Sequence, residues 1–141
     1  MGVQHVSHIG VVVHDLEAAI KTWTEGLGFE VTSRGEVAVE GIRNALISPP
    51  GAAAGSFFIE LMEPVDKSDQ NNAIARRLAS AGEGFYHLAY RVGDIASESE
   101  QLESSGLRTV PLPELSPGAP GRIVVHPKSA NGILIEILES R

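Results

Sequence analysis

One pattern occurs twice in this 141-residue chain, and it constrains the fold more than any other feature. His8 opens an apolar run, and an aspartate followed by an aliphatic residue stands seven residues later, at Asp15. The same arrangement returns at His87 and Asp94, 79 residues further along the chain. Because this offset exceeds half the chain length, the pattern predicts an internal duplication.

A second repeat supports the duplication. The run Phe-Ile-Glu-Leu-Met-Glu is echoed 76 residues later by Leu-Ile-Glu-Ile-Leu-Glu, and the first glutamates of the two runs are Glu60 and Glu136. Glu60 follows His8 by 52 residues, and Glu136 follows His87 by 49. Two halves with the same fold would therefore bring two histidines and two glutamates together, which predicts a metal site.

The chemistry of this set of four side chains fits a transition metal. Successive side chains of a strand alternate between its faces, so matched positions in matched strands are expected to point into one shared concavity. A carboxylate buried there needs a partner. Two imidazoles and two carboxylates form a mixed N/O ligand set that suits divalent Co, Mn, Ni, Zn or Fe. Four ligands around an octahedral ion leave two positions for a bidentate oxygen substrate, and a glutamate displaced by that substrate would be a base for a carbon acid.

A single histidine or glutamate of this kind is weak evidence. A lone histidine in an apolar strand is more often hydrogen-bonded scaffold than a ligand, and a glutamate between aliphatic residues is more often on the solvent face of its strand. The duplication favours the metal-site interpretation, because coincidence would have to occur at the same place twice. His5, His14 and His126 lack such a pairing, so we interpret them as scaffold or solvent residues.

Composition narrows the class of protein and its surroundings. The formal charge of −7 argues against nucleic acid or an anionic membrane as a partner. No apolar run approaches the roughly 20 residues that a membrane-spanning helix needs, and the chain does not open on a basic and apolar signal segment. Cysteine is absent, which excludes disulfides, thiolate ligands and a cysteine nucleophile. We therefore expect a cytoplasmic protein that binds a small molecule.

Hydrophobic periodicity and glycine or proline punctuation predict the same element order in both halves. The predicted elements of the first half are a strand over 4–13, a helix that carries Leu16, Ile20, Trp23 and Leu27 on one stripe and stops at Gly26 and Gly28, and strands over 29–34, 41–48 and 56–63. Those of the second half are a strand over 85–92, a helix over 95–105, and strands over 107–112, 122–126 and 132–139. A helix that carries Ile74, Leu78 and Ala81 on one stripe connects the halves.

Each half therefore runs strand, helix and three strands. We predict an α+β fold in which two βαβββ modules, about 4–64 and about 85–139, form a curved mixed β-sheet cup within one domain, 1–141. Because open sheets leave strand edges that need covering, we also predict a homodimer, with strand 4–13 as the paired edge.

The module order and several sequence motifs resemble those of a known family. The paired modules with a His-Glu-His-Glu set resemble the vicinal oxygen chelate (glyoxalase I-like) superfamily, whose fold is the glyoxalase/bleomycin resistance/dioxygenase-like fold. Several stretches are similar to the methylmalonyl-CoA epimerase family. They are His8-Ile9-Gly10, Ile59-Glu60-Leu61-Met62-Glu63-Pro64, Gly82-Glu83-Gly84-Phe85-Tyr86-His87, and His126-Pro127-Lys128-Ser129 running into Gly132-Ile133-Leu134-Ile135-Glu136.

The resemblance implies an activity and assigns residues to it. By the family pattern, His8, Glu60, His87 and Glu136 are the metal ligands. The family reaction is an isomerisation, a 1,1-proton transfer on an acyl-CoA at the carbon between a thioester and a carboxylate, through a metal-stabilised enolate. Glu136 matches one base proposed for the family. Its counterpart is Glu60 released from the metal, another side chain or a water. A further base, found in some members on the third strand, falls at Asn44, which cannot accept a proton.

Two other functions share the same sequence features. One is a glyoxalase I-like lyase that acts on a thiol hemithioacetal with the same metal and enolate chemistry. The other is a non-catalytic member of the superfamily that binds a small molecule. Because all four ligand positions are filled, the sequence favours an enzyme, and among enzymes it favours the epimerase.

Overall fold

The computed structural model describes residues 2–140. In chain order the strands are β1 (His5–Val12), β2 (Glu30–Val37), β3 (Ile42–Ser48), β4 (Phe58–Pro64), β5 (Gly84–Val92), β6 (Thr109–Pro111), β7 (Arg122–Val125) and β8 (Leu134–Glu139). The α-helices are α1 (Leu16–Lys21), α2 (Ala73–Ala81) and α3 (Ile95–Ser104). β1, α1 and β2 to β4 form the first βαβββ series, and β5, α3 and β6 to β8 form the second, which confirms the predicted element order.

The described residues divide into two compact units. Ile9–Phe85 form the N-terminal unit, and the residues up to His8 together with those from Tyr86 onward form the C-terminal unit. β1 therefore contributes its first four residues to the C-terminal unit and the rest to the N-terminal unit. The count of one domain stays a prediction.

In the N-terminal unit the strand order is β2-β3-β4-β1. β3 pairs antiparallel with β2 and with β4, and the register between β2 and β3 shifts at Val31 and Ser33. Alternate residues of β3 and β4 pack against α1, because successive side chains of a strand point to opposite faces of the sheet. The core that results consists of Val13, Leu16, Ala45, Ile47, Ile59 and Leu61.

The end of the first helix departs from the predicted apolar stripe. Leu16, Ile20 and Trp23 contribute to the core as expected, but Leu27 is 60% exposed. After α1 the chain continues in a π-helical turn, Thr22–Gly26, in which the Leu27 N–H donates to the Thr22 carbonyl. A π-turn holds one more residue than an α-turn. Leu27 is therefore rotated off the stripe, and its predicted place on it is wrong.

In the C-terminal unit the strand order is β1-β5-β8-β7-β6. β5 and β8 run parallel, whereas β7 is antiparallel to both β8 and β6. The core of this unit consists of Val92, Ile123, Val125 and Ile137, with Tyr90, Ile95 and Leu102 packed against it. A sheet with parallel and antiparallel pairs beside separate helices confirms the predicted α+β class with a mixed sheet.

β1 is an interior strand, so the prediction that strand 4–13 is a free edge is wrong. Next to its first half, the Gln4 N–H donates to the Arg91 carbonyl of β5 at 2.9 Å. Beyond its other end, the Val13 N–H donates to the Met62 carbonyl of β4 at 2.9 Å. Both sides of β1 are therefore hydrogen-bonded, and a partner chain finds no open ladder there. The homodimer itself stays a prediction.

Both modules fix their helix by the same device. Asp15 accepts a hydrogen bond from the first turn of α1, and Asp94 accepts from the first turn of α3, as N-cap residues do. In addition, Glu63 on β4 accepts the N–H of the first residue of α1 at 2.9 Å. Glu139 on β8 accepts that of the first residue of α3, also at 2.9 Å. The second glutamate of each repeated strand therefore ties the strand to its helix.

The longest α-helix of the described residues, α3, has 10 residues. No helix between residues 2 and 140 combines the length and apolar character that crossing a membrane would require.

Candidate metal centre

Three of the four predicted ligands meet in the C-terminal unit. They are His8 on β1, His87 on β5 and Glu136 on β8. One ligand atom from each lies within 4.8 Å of the other two. All three residues are buried, with exposed fractions of 6%, 6% and 8%. The predicted convergence of these three side chains is therefore seen within the part of the chain that the structure describes.

The strand pairing explains why they meet. In the parallel ladder of β5 and β8, Glu136 lies opposite Ala89. His87 is two residues before Ala89, and residues two apart in a strand share a face. His87 and Glu136 are therefore diagonal neighbours on one face of the sheet. β1 adjoins β5 on its other side and supplies His8.

The separations of the ligand atoms suit one divalent ion. The Nε2 atoms of His8 and His87 lie 3.1 Å apart. Glu136 Oε1 lies 3.5 Å from the first and 3.7 Å from the second. An ion bonded at about 2.0–2.2 Å holds neighbouring ligand atoms about 3–3.6 Å apart. Two imidazole nitrogens and one carboxylate oxygen at this spacing fit Co, Mn, Ni, Zn or Fe.

The protonation of His8 also suits a ligand. Burial, together with the charges of the neighbouring His87 and Arg91, lowers the pKa of His8 from its ordinary 6.5 to about 3. His8 is therefore neutral near pH 7, which is the form that binds metals. Its Nδ1 lies 3.0 Å from Ser7 Oγ. With Nδ1–H donating to that hydroxyl, the lone pair is on Nε2, which faces the other ligands.

Glu136 combines burial with a cationic partner. Burial raises the pKa of the Glu136 carboxyl above its ordinary value, while Arg122 and, more weakly, Arg91 act in the opposite direction. Arg122 donates from Nη1 to Oε2 at 3.0 Å. Oε1 is the oxygen that faces the two imidazoles. A carboxylate whose proton affinity is raised by burial is a stronger base than an exposed one.

Glu60, the fourth predicted ligand, belongs to the N-terminal unit. It is partly buried on β4, where its Oε2 accepts a hydrogen bond from Asn44 Nδ2 at 2.8 Å. Asn44 thus serves as an amide donor on β3, in agreement with its inability to act as a base. The role of Glu60 as a ligand and catalytic group stays a prediction.

The three remaining histidines lie outside the group of metal-competent side chains found among residues 2–140. His126 accepts the Lys128 N–H at the start of a 3₁₀ turn, Pro127–Ser129, which is a scaffold role. The backbone N–H of His14 donates to Glu83. His5 is exposed.

Sequence reasoning missed Arg122. The signal was present, because Arg122 is the only charged residue of β7, whose other residues are Ile, Val and Val. A cation that begins an apolar strand suggests a buried anionic partner. The identity of that partner depends on the register of β7 against β8, which periodicity alone does not reveal.

Comparison with known proteins assigns the class. The sequence profile of the glyoxalase/bleomycin resistance protein/dioxygenase superfamily matches residues 7–125. The chain belongs to this superfamily, as its paired βαβββ modules and its His-His-Glu group indicated.

Within the superfamily the chain is similar to methylmalonyl-CoA epimerases. It is 29% identical to the ethylmalonyl-CoA/methylmalonyl-CoA epimerase of Cereibacter sphaeroides, over 94% of this chain and 95% of that protein. The structure of methylmalonyl-CoA epimerase from Mycobacterium tuberculosis matches with a TM-score of 0.83 and 33% identity, over 99% of this chain and 89% of that one. The Streptomyces coelicolor enzyme in complex with 2-nitronate-propionyl-CoA matches with a TM-score of 0.84 and 27% identity, over 99% of both chains.

Proposed function

We propose that this chain is a metal-dependent epimerase that acts on an acyl-CoA of the methylmalonyl-CoA type. The observation that carries the proposal is the buried group of His8, His87 and Glu136, in a chain similar over nearly its whole length to enzymes of that activity. The reaction removes the proton from one face of the carbon between the thioester and the carboxylate, and a proton is added to the opposite face.

The two imidazoles and one carboxylate oxygen would hold the ion. A divalent ion bound there would stabilise the negative charge that develops on the thioester oxygen as the α-proton leaves. His8 contributes a neutral imidazole, because burial keeps its pKa low. The ligands are buried, so water competes weakly for the site and charge interactions within it are strong.

Glu136 is the proposed base. Arg122 occupies Oε2, so Oε1, once the substrate oxygens displaced it from the ion, would be the oxygen that takes the proton. Burial raises the pKa of Glu136 toward the pKa of the substrate α-carbon. The smaller pKa difference lowers the free energy needed for proton transfer. Epimerisation also needs a proton donor on the opposite face, and Glu60 is our candidate for that second catalytic group and for the fourth ligand.

Several finer features remain predictions from the sequence. They are the choice among Co, Mn, Ni, Zn and Fe, the acyl group, the homodimer and the cytoplasmic location. The acyl-CoA class is supported by the names of the similar enzymes and by the 2-nitronate-propionyl-CoA bound to the Streptomyces coelicolor enzyme.

Proton exchange tests the function. Protein loaded with Co²⁺ is mixed with one epimer of methylmalonyl-CoA in D₂O, and the α-proton and both epimers are followed by NMR. We expect catalysed loss of the α-proton signal and formation of the other epimer. Chelation should stop both, and added Co²⁺ should restore them. If protein loaded in turn with Co²⁺, Mn²⁺, Ni²⁺, Zn²⁺ and Fe²⁺ leaves the α-proton in place every time, the proposal is wrong.

The same preparation separates the epimerase from the lyase. The hemithioacetal of methylglyoxal and glutathione is offered in place of the thioester. An epimerase should leave it unchanged, because the hemithioacetal lacks the malonyl carboxylate that orients the reacting carbon of methylmalonyl-CoA. Rapid formation of a hydroxyacyl thioester, without exchange on methylmalonyl-CoA, would favour the glyoxalase I-like lyase instead.

A further inference from the structure

We propose that Arg122 is a positioning residue that holds Glu136 in a one-oxygen binding mode. Glu136 would then meet the ion, and later the proton, through Oε1 alone. The inference deepens the proposed function, because it rests on the metal site described above.

The guanidinium of Arg122 is bound on two sides. It is 4% exposed, and its Nη1 donates to Glu136 Oε2 at 3.0 Å. On the other side, Nε and Nη2 donate to the Pro113 carbonyl at 3.1 Å and 2.8 Å. An arginine buried at this depth is tolerated only when its N–H groups are hydrogen-bonded. The rigid planar fork therefore has one orientation, set by the backbone at Pro113.

That orientation determines what Glu136 can do. With Oε2 engaged, a carboxylate that could bind an ion through two oxygens is limited to Oε1, the atom 3.5 Å and 3.7 Å from the imidazole nitrogens. The positive guanidinium also offsets the charge of Glu136. Glu136 therefore neutralises less of the charge of a bound divalent ion, and the ion attracts an anionic substrate more strongly. Partners that orient a ligand in this way commonly alter metal affinity when they are removed.

The first module lacks this device at the equivalent position. Arg122 lies opposite the residue two places after Glu136, and Asn44 lies opposite the residue two places after Glu60. Each donates to its glutamate, Arg122 at 3.0 Å and Asn44 at 2.8 Å. Asn44 is neutral. Both modules therefore have a hydrogen-bond donor at this position, and the donor to Glu136 is cationic whereas Asn44 is neutral.

Titration of the metal-free protein with Co²⁺ alone tests the inference. Affinity is measured by calorimetry, and the visible spectrum of bound Co²⁺ reports its ligand field. The variants are Arg122→Met, which keeps the length and loses the donors, and Arg122→Lys, which keeps the charge without the fork. Arg108→Met is the matched control, because it removes the same charge from an exposed position of the same unit.

We expect Arg108→Met to bind like wild type and Arg122→Met to lose about 10–100-fold in Co²⁺ affinity, with an altered spectrum. Arg122→Lys should lie between them. Wild-type affinity and spectrum in Arg122→Met would overturn the inference. If Arg122→Met does not fold, Arg122→Lys decides, and identity with wild type in both readouts overturns the role of the fork. Failure of wild type itself to bind Co²⁺ or any of Mn²⁺, Ni²⁺, Zn²⁺ and Fe²⁺ would instead overturn the metal site and the proposed function.

Discussion

Glu60 and Glu136 occupy equivalent positions of the two modules and have different surroundings. Glu136 is buried beside two imidazoles, and a guanidinium holds its second oxygen. Glu60 is partly buried, and a neutral amide donates to it. The backbone positions that supply these donors are the same in both modules. The duplication therefore repeats the position of the glutamate in both modules. The residue on the neighbouring strand, Arg122 or Asn44, determines the charge beside it.

The other glutamate of each repeated strand teaches the opposite lesson. Glu63 and Glu139 keep one role in both modules, since each accepts the first N–H of its helix at 2.9 Å. The partner that they share is a backbone group, which does not vary with the sequence, although Glu63 also accepts from Lys67 Nζ at 2.9 Å. Repeated features that bind the backbone stay alike, whereas those that bind side chains can diverge. The predictions below test each side of this comparison.

Loss of His87 should have the largest effect. His87→Ala removes one of three converging ligand atoms, so we expect tight Co²⁺ binding and proton exchange to be abolished. Binding to the native state stabilises wild type by about 2.7 kcal/mol when Co²⁺ is present at 100 times its Kd. Thermal unfolding with and without Co²⁺ should therefore show a shift in wild type and none in the variant. His5→Ala, an exposed position of β1, is the control. An undiminished Co²⁺-dependent shift in His87→Ala would exclude His87 as a ligand.

The two helix-binding glutamates should behave alike. Glu63→Gln and Glu139→Gln each weaken a charge-assisted hydrogen bond to a helix N-terminus, so each should cost about 1–2 kcal/mol of unfolding free energy. Denaturant unfolding of both variants measures this. Costs that differ by more than about 2 kcal/mol would show that the modules do not use the device equally.

The Glu63 variant also has a pH signature. Burial would raise the pKa of the Glu63 carboxyl, but hydrogen bonds from Lys67 and the Leu16 N–H, together with the charges of Lys67 and Arg43, lower it below the ordinary 4.5. A lowered folded-state pKa contributes stability above the unfolded value, and this is lost as pH falls through the folded value. The stability difference between wild type and Glu63→Gln should therefore shrink below pH 4.5. A difference that grew on acidification would contradict the assigned partners.

Asn44→Ala should have the smallest effect. The amide cannot accept a proton, so its loss removes one hydrogen bond to Glu60 and no catalytic base. We expect less than about a tenfold fall in proton exchange, the equivalent of one ordinary hydrogen bond. A loss of several powers of ten would show that the first module contributes more to the chemistry than its neutral partner suggests.

Much of the fold could be predicted because its signals are local. Apolar runs and glycine or proline punctuation located the eight strands of the described residues, and the repeated Asp15 and Asp94 stand where two helices begin. The convergence of His8, His87 and Glu136 could be predicted from the duplication, because equal spacing in two similar halves implies equal placement. That argument needs no knowledge of strand order.

What could not be predicted depends on strand register or on small irregularities of the backbone. Arg122 meets Glu136 only through the pairing of β7 with β8, and β1 is interior because both of its sides are paired. Leu27 leaves the helix stripe because of one extra residue in a π-turn. The first two features depend on which distant strands pair, and the third depends on the hydrogen bonding of one turn. The hydrophobic pattern of the sequence contains neither kind of information.

The most direct test of the comparison is the rate of α-proton exchange in Co²⁺-loaded Glu136→Gln. The amide oxygen can still coordinate, so the variant should fold and keep some metal. It should lose about 10²–10⁴-fold in exchange on methylmalonyl-CoA, the range that removal of a general base costs. Glu100→Gln, an exposed position of α3, should exchange like wild type. If Glu136→Gln with bound metal exchanges the α-proton at nearly the wild-type rate, Glu136 is only a ligand and the proposed division of roles between the two modules is wrong.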